Sequence, residues 1–188
     1  MPRKIAARES LTGGTGDVNP QQFTIQVTQL VADQWNFAAI PNPVPRYPGS
    51  TQRAVVMEIL RVNWFNASGI SAAASSTVFA ALATREIAAV GSAPTALAIF
   101  SNPSVFSFYN ARTFFQTAAG FQIGAVNEQV DELTDGAGHG HLVATDNIFI
   151  GIGSTSTLIV NGPIACKITY RMKEIGLAEY VGIVQSQQ

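Results

Sequence analysis

The run Pro163–Lys173, PIACKITYRMK, constrains the fold more than any other stretch. Ile164, Cys166, Ile168, Tyr170 and Met172 alternate with Ala165, Lys167, Thr169, Arg171 and Lys173. A period of two sustained over ten residues describes a strand with one face on a core and the other in water or against a partner. Before it come a Gly-rich loop (DGAGHGH), a second strand over 141–152 and a polar turn. A half-polar β-ribbon, in a chain with no evident catalytic set, points to a protein that works by its shape.

The rest of the chain follows the same pattern. Residues 1–20 read as an arm, mildly basic through Arg3, Lys4 and Arg8 and broken by Gly13, Gly14 and Gly16. Phe23, Ile25 and Val27 alternate with Thr24, Gln26 and Thr28 in a first strand. Residues 41–50, with four prolines and a glycine, read as an irregular crossing. The run 52–66 reads as a long strand because Val55, Val56, Val62 and Trp64 disfavour a helix. Its polar Glu58, Arg61 and Asn63 fall on both faces of a regular strand. Further strands are predicted over 77–90, over 104–123 as two strands broken near Asn110 or Gly120, and over 126–133 as an edge strand or exposed turn; Pro94 opens a further segment, TALAIF. The segment LAEYVGIVQSQ reads as a helical turn or a strand-like arm. About eight strands without a 20–50-residue repeat predict an all-β, eight-stranded jelly-roll β-sandwich with an extended N-terminal arm. The predicted organisation is an arm (1–20), a jelly-roll domain (21–176) and a tail (177–188).

Charge bears on how such a domain meets its surroundings. Charged residues make up 12% of the 188, about half the usual share of ~25%. Such a composition fits either a neutral, soluble β domain or, since interface surface is depleted in charge, a surface occupied by neighbouring copies, and the second is the expectation. The net charge of −1 excludes a strongly basic body as the main handle on nucleic acid. The single cysteine, Cys166, gives neither a disulfide framework nor a zinc site and reads as a small core residue. No apolar segment follows the N-terminal charges, and no run approaches the ~18 apolar residues of a membrane span, so neither a leader nor a span is expected.

Candidate chemistry is sparse. His139 and His141, in GHGH between Asp135 and Asp146, suggest a cupin metal site, but no third histidine exists and Thr145 stands where a cupin glutamate would be. The alternative is a polar loop whose glycines permit a tight turn. A Ser–His–Asp set lacks a G-x-S-x-G elbow. Asp131, Glu132 and Asp135 are either a solvated run or a cation site with no recognised calcium-loop spacing. GGTG (13–16) and GIGSTS (151–156) lack the lysine of a phosphate loop. Asn66-Ala67-Ser68 matches a glycosylation sequon but stands without a secretion signal. No catalytic residue, metal or cofactor is therefore expected. Three cations on an arm give weak phosphate contacts that add up only when many copies cluster.

DGAGHGHLVATDNIFI followed by IACKITYRMKEIGLAEYVGIVQSQQ resembles the C-terminal part of single jelly-roll capsid proteins of small icosahedral viruses, of the environmental, circular-genome type. AVVMEILRVNWF looks like a long strand of such a sandwich. The resemblance implies a non-enzymatic structural protein of the virion that self-assembles into an icosahedral shell around a genome. The partners expected are copies of itself and, through Arg3, Lys4 and Arg8, the viral genome. Many such capsids carry a long Arg-rich arm, and this arm does not. Leu177, Tyr180, Val181 and Ile183 are the expected intersubunit contacts, and loops 37–51 and 67–76 the expected outer or vertex surface. The competing reading is a jelly-roll carbohydrate-binding or fibre-head module using Trp35, Tyr47 or Tyr109.

Overall fold

The alternating C-terminal strand lies against the long apolar strand before it in sequence, and the rest of the sandwich builds outward from that pair. In the computed structural model, the described residues are 20–28, 34–44, 48–50, 53–66, 76–89, 91–116, 121–124, 128–154 and 163–187. They form strands β1 (Gln21–Thr28), β2 (Asn36–Pro41), β3 (Pro48–Ser50), β4 (Arg53–Asn66), β5 (Ser76–Ala83), β6 (Val105–Gln116), β7 (Phe121–Gly124), β8 (Gln129–Glu132), β9 (His141–Val143), β10 (Asn147–Ser154) and β11 (Pro163–Gly176). Two helices accompany them, α1 (Ala96–Phe100) and α2 (Leu177–Gln187).

One sheet runs β1-β11-β4, with β3, β9 and β8 sharing the far edge of β4. The other runs β2-β10-β5-β6-β7. β3 is a short hairpin into β4, β7 a hairpin on β6, and β8 and β9 pair with successive stretches of β4. The eleven segments thus reduce to eight working strands. First pairs with eighth (β1·β11), second with seventh (β2·β10), third with sixth (β4·β8/β9) and fourth with fifth (β5·β6), all antiparallel. Such a nested hairpin, rolled into two layers, is a jelly roll.

β4 resolves the conflict in its own sequence. Arg61 pairs with Thr169 and Ile59 with Tyr170, so Leu60 is left without a partner on β11, a β-bulge. The bulge moves the side-chain phase by one. Met57 and Ile59 before it and Val62 and Trp64 after it all reach the main core, while Glu58, Arg61 and Asn63 all fall on the outer face. The same bulge divides β9 from β8, and the N–H of Leu133 donates to the Leu60 carbonyl at 2.9 Å as the chain leaves the sheet. On β11, Ile164, Cys166, Ile168 and Tyr170 are buried as their alternation requires; Met172, at the strand's end, is 37% exposed. Burial pushes the Cys166 thiol far up, which fits a core residue.

A second cluster covers the outer face of the other sheet. Trp35 stacks on Phe79 with ring centroids 5.9 Å apart, and Ile99 of α1 joins them. Gly151 makes room, since a Cβ there would lie 2.0 Å from the Trp35 ring. Several sequence expectations are corrected here. β5 ends at Ala83 and not near 90, because Ile87 and Ala88 pack onto this cluster as loop residues. TALAIF, to which the sequence assigns no element, supplies helix α1, with the Thr95 hydroxyl accepting from the Ala98 N–H at its start. The loop expected over 37–51 begins instead with β2, Asn36–Pro41, and Ala38 and Ile40 pack on the core. Of the two breaks expected in 104–123, the one near Gly120 stands: β6 runs unbroken through Asn110 to Gln116 and β7 begins at Phe121.

Candidate intersubunit surfaces and the Glu58 cluster

The outer face of β4 and β11 carries a fully buried carboxylate. Glu58 is 0% exposed and stands directly across from Arg171 in the β4–β11 register. Its Oε2 accepts from Arg171 Nε, and its Oε1 accepts from Lys173 Nζ at 3.0 Å and from the Gly140 N–H at 3.0 Å. Burial raises the Glu58 pKa, yet the Arg171, Lys173 and Gly140 hydrogen bonds outweigh it, and the carboxyl stays below its ordinary value. Arg171 Nη2 also donates to the Gly138 carbonyl at 2.8 Å. The Gly-rich loop is therefore pinned over the sheet from beneath. Asp135 closes it by accepting from the N–H groups of Ala137 and His139 at 2.9 and 3.0 Å. Gly140 is obligatory, since a Cβ there would lie 2.2 Å from the Ile59 carbonyl oxygen.

The two histidines are held in different places. His139 Nδ1 lies 3.5 Å from Lys173 Nζ on the exposed side. His141 is half-buried and stacks on Phe106 at 5.1 Å. Burial lowers its pKa, and its Nε2 has no hydrogen-bond partner among the described residues. Among the described residues, no group of three or more His, Cys, Asp or Glu is placed to hold a metal ion. Asp131 accepts from Ser107 Oγ at 2.5 Å and Gln129 Nε2 at 2.8 Å, and Glu132 pairs with Arg61. Trp64 Nε1 donates to the same Ser107 hydroxyl at 2.7 Å, which ties the two sheets together at this end.

Of the expected contact residues, α2 divides the four. Tyr180, Ile183 and Val184 pack on Val56, Ala144 and Ile175 of their own chain. Gln187, one turn on, is buried; it accepts from the Ala144 N–H at 3.0 Å and donates to the Leu142 carbonyl at 2.6 Å. Leu177 and Val181, one turn apart on the other face, stay 47% and 45% exposed. Arg3, Lys4, Arg8, Tyr47 and the loop 67–75 lie outside the described residues. Trp35 and Tyr109 are 1% and 0% exposed, so a sugar has no access to either ring.

A second exposed apolar patch escaped the sequence reading. Leu97 and Phe100 of α1 and Val130 of β8 are 73%, 63% and 50% exposed. Phe100 and Val130 flank a cleft of about 490 Å³ between β6 and β8, with Phe106 and Leu133 in its wall. Thr95 as an N-cap, with Leu97 and Phe100 three apart, was the available signal. For the Glu58 cluster the signal was a lone Glu inside VVMEIL.

No family model and no curated protein matches the chain. Solved structures do match it, nearly end to end. VP1 of Trichodysplasia spinulosa-associated polyomavirus, in complex with 3'-sialyllactose, aligns at a TM-score of 0.56 and 10% identity, over 87% of this chain and 97% of that one. The same protein in complex with GM1 oligosaccharide gives 0.55 and 10%, over 87% and 96%. The unassembled pentamer of Merkel cell polyomavirus VP1 gives 0.51 and 9%, over 86% and 98%. The fold is similar to that of polyomavirus VP1. At this identity the likeness is one of fold.

Proposed function

We propose that this chain is a structural capsid protein whose jelly roll self-associates into an icosahedral shell, placing it in the virion. The observation that carries the reading is the complete nested jelly roll, matched over 87% of this chain and 97% of a polyomavirus VP1. Two features of the chain support it. Its surface is poor in charge, as interface surface is. It also leaves two apolar patches open, Phe100/Val130 and Leu177/Val181. Closed symmetry repeats each modest contact around the shell, so small patches suffice. The mechanism is association, with no catalytic step.

Within this reading the chain is a single jelly-roll subunit of a small, circular-genome virus, divided into arm 1–20, domain 21–176 and tail 177–188. Leu177 and Val181 make contacts between subunits; Tyr180 and Ile183 hold α2 in place so that they can. Arg3, Lys4 and Arg8 touch genome phosphates, and many weak arms act together. The test is nuclease protection. Particles purified after nuclease treatment should retain nucleic acid, and Arg3→Ala/Lys4→Ala/Arg8→Ala should lower the retained amount. Equal protection in the triple variant would remove the arm from packaging.

A further inference from the structure

We infer that His141 is an acid-sensitive latch between the two sheets: once protonated, its ring leaves Phe106, and β9 parts from β6 at that end of the sandwich. Such a latch belongs to the single folded subunit and goes beyond shell assembly.

Two bulges place the contact. Leu82 of β5 pairs with Ser107 and Ala83 with Val105, so Phe106 has no partner on β5, a second β-bulge. Val105 and Phe108 pack on the outer Trp35 cluster, while Phe106 packs on the main core. In the other sheet β9 is three residues long, and His141 pairs with Ile59 beside the Leu60 bulge of β4. The two rings meet across the layers, with centroids 5.1 Å and planes 22° apart.

The stack depends on a neutral ring. Nε2 is buried without a hydrogen-bond partner among the described residues. While neutral, that nitrogen forgoes one hydrogen bond; protonated, the ring is a buried charge with an unanswered donor, which is far costlier. The Phe106 face attracts a cation but accepts no ordinary hydrogen bond. His141 is half-buried at the start of β9, so its ring reaches water by turning outward.

Among the described residues, no carboxylate on the elements around the ring is placed to hold the charge. On β4, Glu58 and Arg61 lie on the outer face, Glu58 with Arg171 and Lys173 and Arg61 with Glu132. Asp131 of β8 faces inward opposite Val62 and accepts from Ser107 and Gln129. Asp135 accepts from the Ala137 and His139 N–H groups, and His139 itself lies on the exposed side beside Lys173. Val105–Phe108 of β6 have no titratable side chain. Burial therefore keeps the folded pKa of His141 below its ordinary 6.5. The opened ring returns to the ordinary value, so the closed form is fully favoured above about 6.5 and loses ground as pH falls toward the folded value.

The test is hydrogen–deuterium exchange of the full chain and of His141→Phe, whose ring keeps the stack and cannot titrate, at about pH 7.5 and about pH 5. Opening of the latch should gain up to about tenfold for each pH unit below about 6.5. After correction for intrinsic exchange, wild-type amides of 105–108 and 141–143 should open at least about tenfold more at the lower pH, and those of His141→Phe less than about threefold more. In wild type they should also exchange ahead of Phe149–Ser154, which the β5–β10 pairing holds, and be insensitive to low urea, as local opening is. An equal gain in His141→Phe, or exchange that matches Phe149–Ser154 and rises with urea, would overturn the inference. A second readout needs no substitution: the His141 ring, followed by NMR, should titrate where protection of 105–108 is lost. Protection lost while the ring stays neutral, or a titrating ring with protection intact, would overturn it equally. Neither readout involves particles, so failure of the latch leaves the shell untouched.

Discussion

Glu58→Gln is the sharpest probe of what holds the outer face together. The amide keeps one acceptor but turns a donor toward Arg171 or Lys173, and the buried negative charge is lost. Removing one side of a buried ion pair costs about 3–5 kcal/mol. Arg171 and Lys173 keep 26% and 30% of their side chains exposed, and solvent screening of the stranded cations lowers the expected loss to about 2–3 kcal/mol. For a chain of this size that is a drop in Tm of roughly 4–12 °C. The assay is urea unfolding followed by Trp35 and Trp64 fluorescence across pH, with an unchanged m-value as the check on two-state behaviour. The sign follows from linkage. The Glu58 carboxyl lies below its ordinary 4.5 in the folded chain. Its stabilisation is therefore complete above the unfolded value and lost as pH falls through the folded one. The gap between wild type and Glu58→Gln should be constant from about pH 5 to 8 and close in acid. A variant as stable as wild type at neutral pH, or a gap that persists undiminished in acid, would refute the reasoning.

Three further outcomes are expected. Gly151→Ala forces a Cβ to within 2.0 Å of the buried Trp35 ring and should cost about 1–3 kcal/mol by overpacking; combined with Trp35→Leu, the two losses in urea unfolding should sum to more than the double variant shows. His141 is held below its ordinary 6.5 by burial, so the unfolded chain binds more protons there; wild type should lose stability relative to His141→Phe as pH falls below about 6.5, measured by thermal melts in a pH series. Leu177→Ser/Val181→Ser should reduce particle yield while shifting stability by no more than about 0.5 kcal/mol, whereas Ile183→Ala should cost about 1–3 kcal/mol through lost packing.

The two faces of β11 were readable because their period of two is local. The arrangement of β4 was not, since a bulge is defined by the partner's register: only when Leu60 is skipped by β11 do Glu58, Arg61 and Asn63 share a face. The Glu58 cluster was hidden for a related reason. Its members are 113 and 115 residues apart in the chain, and neither strand alone shows that a loop will bury the carboxylate. The glycines of GHGH were readable as a turn, and Gly140 then proved to be a point of close approach. Ile87 misled because its hydrophobicity serves a second, smaller cluster around Trp35 outside the sandwich. The tail's apolar residues look alike in sequence; only the helical period, with Tyr180, Ile183, Val184 and Gln187 inward, separates those that fasten α2 from those left outside.

The central claim is self-assembly, and the most direct measurement is the native mass of the expressed full chain by light scattering, with negative-stain images of the same peak. Closed, uniform particles of megadalton mass are the predicted result. A monomer or small oligomer, unchanged across concentration and ionic strength and with nucleic acid added, would contradict it.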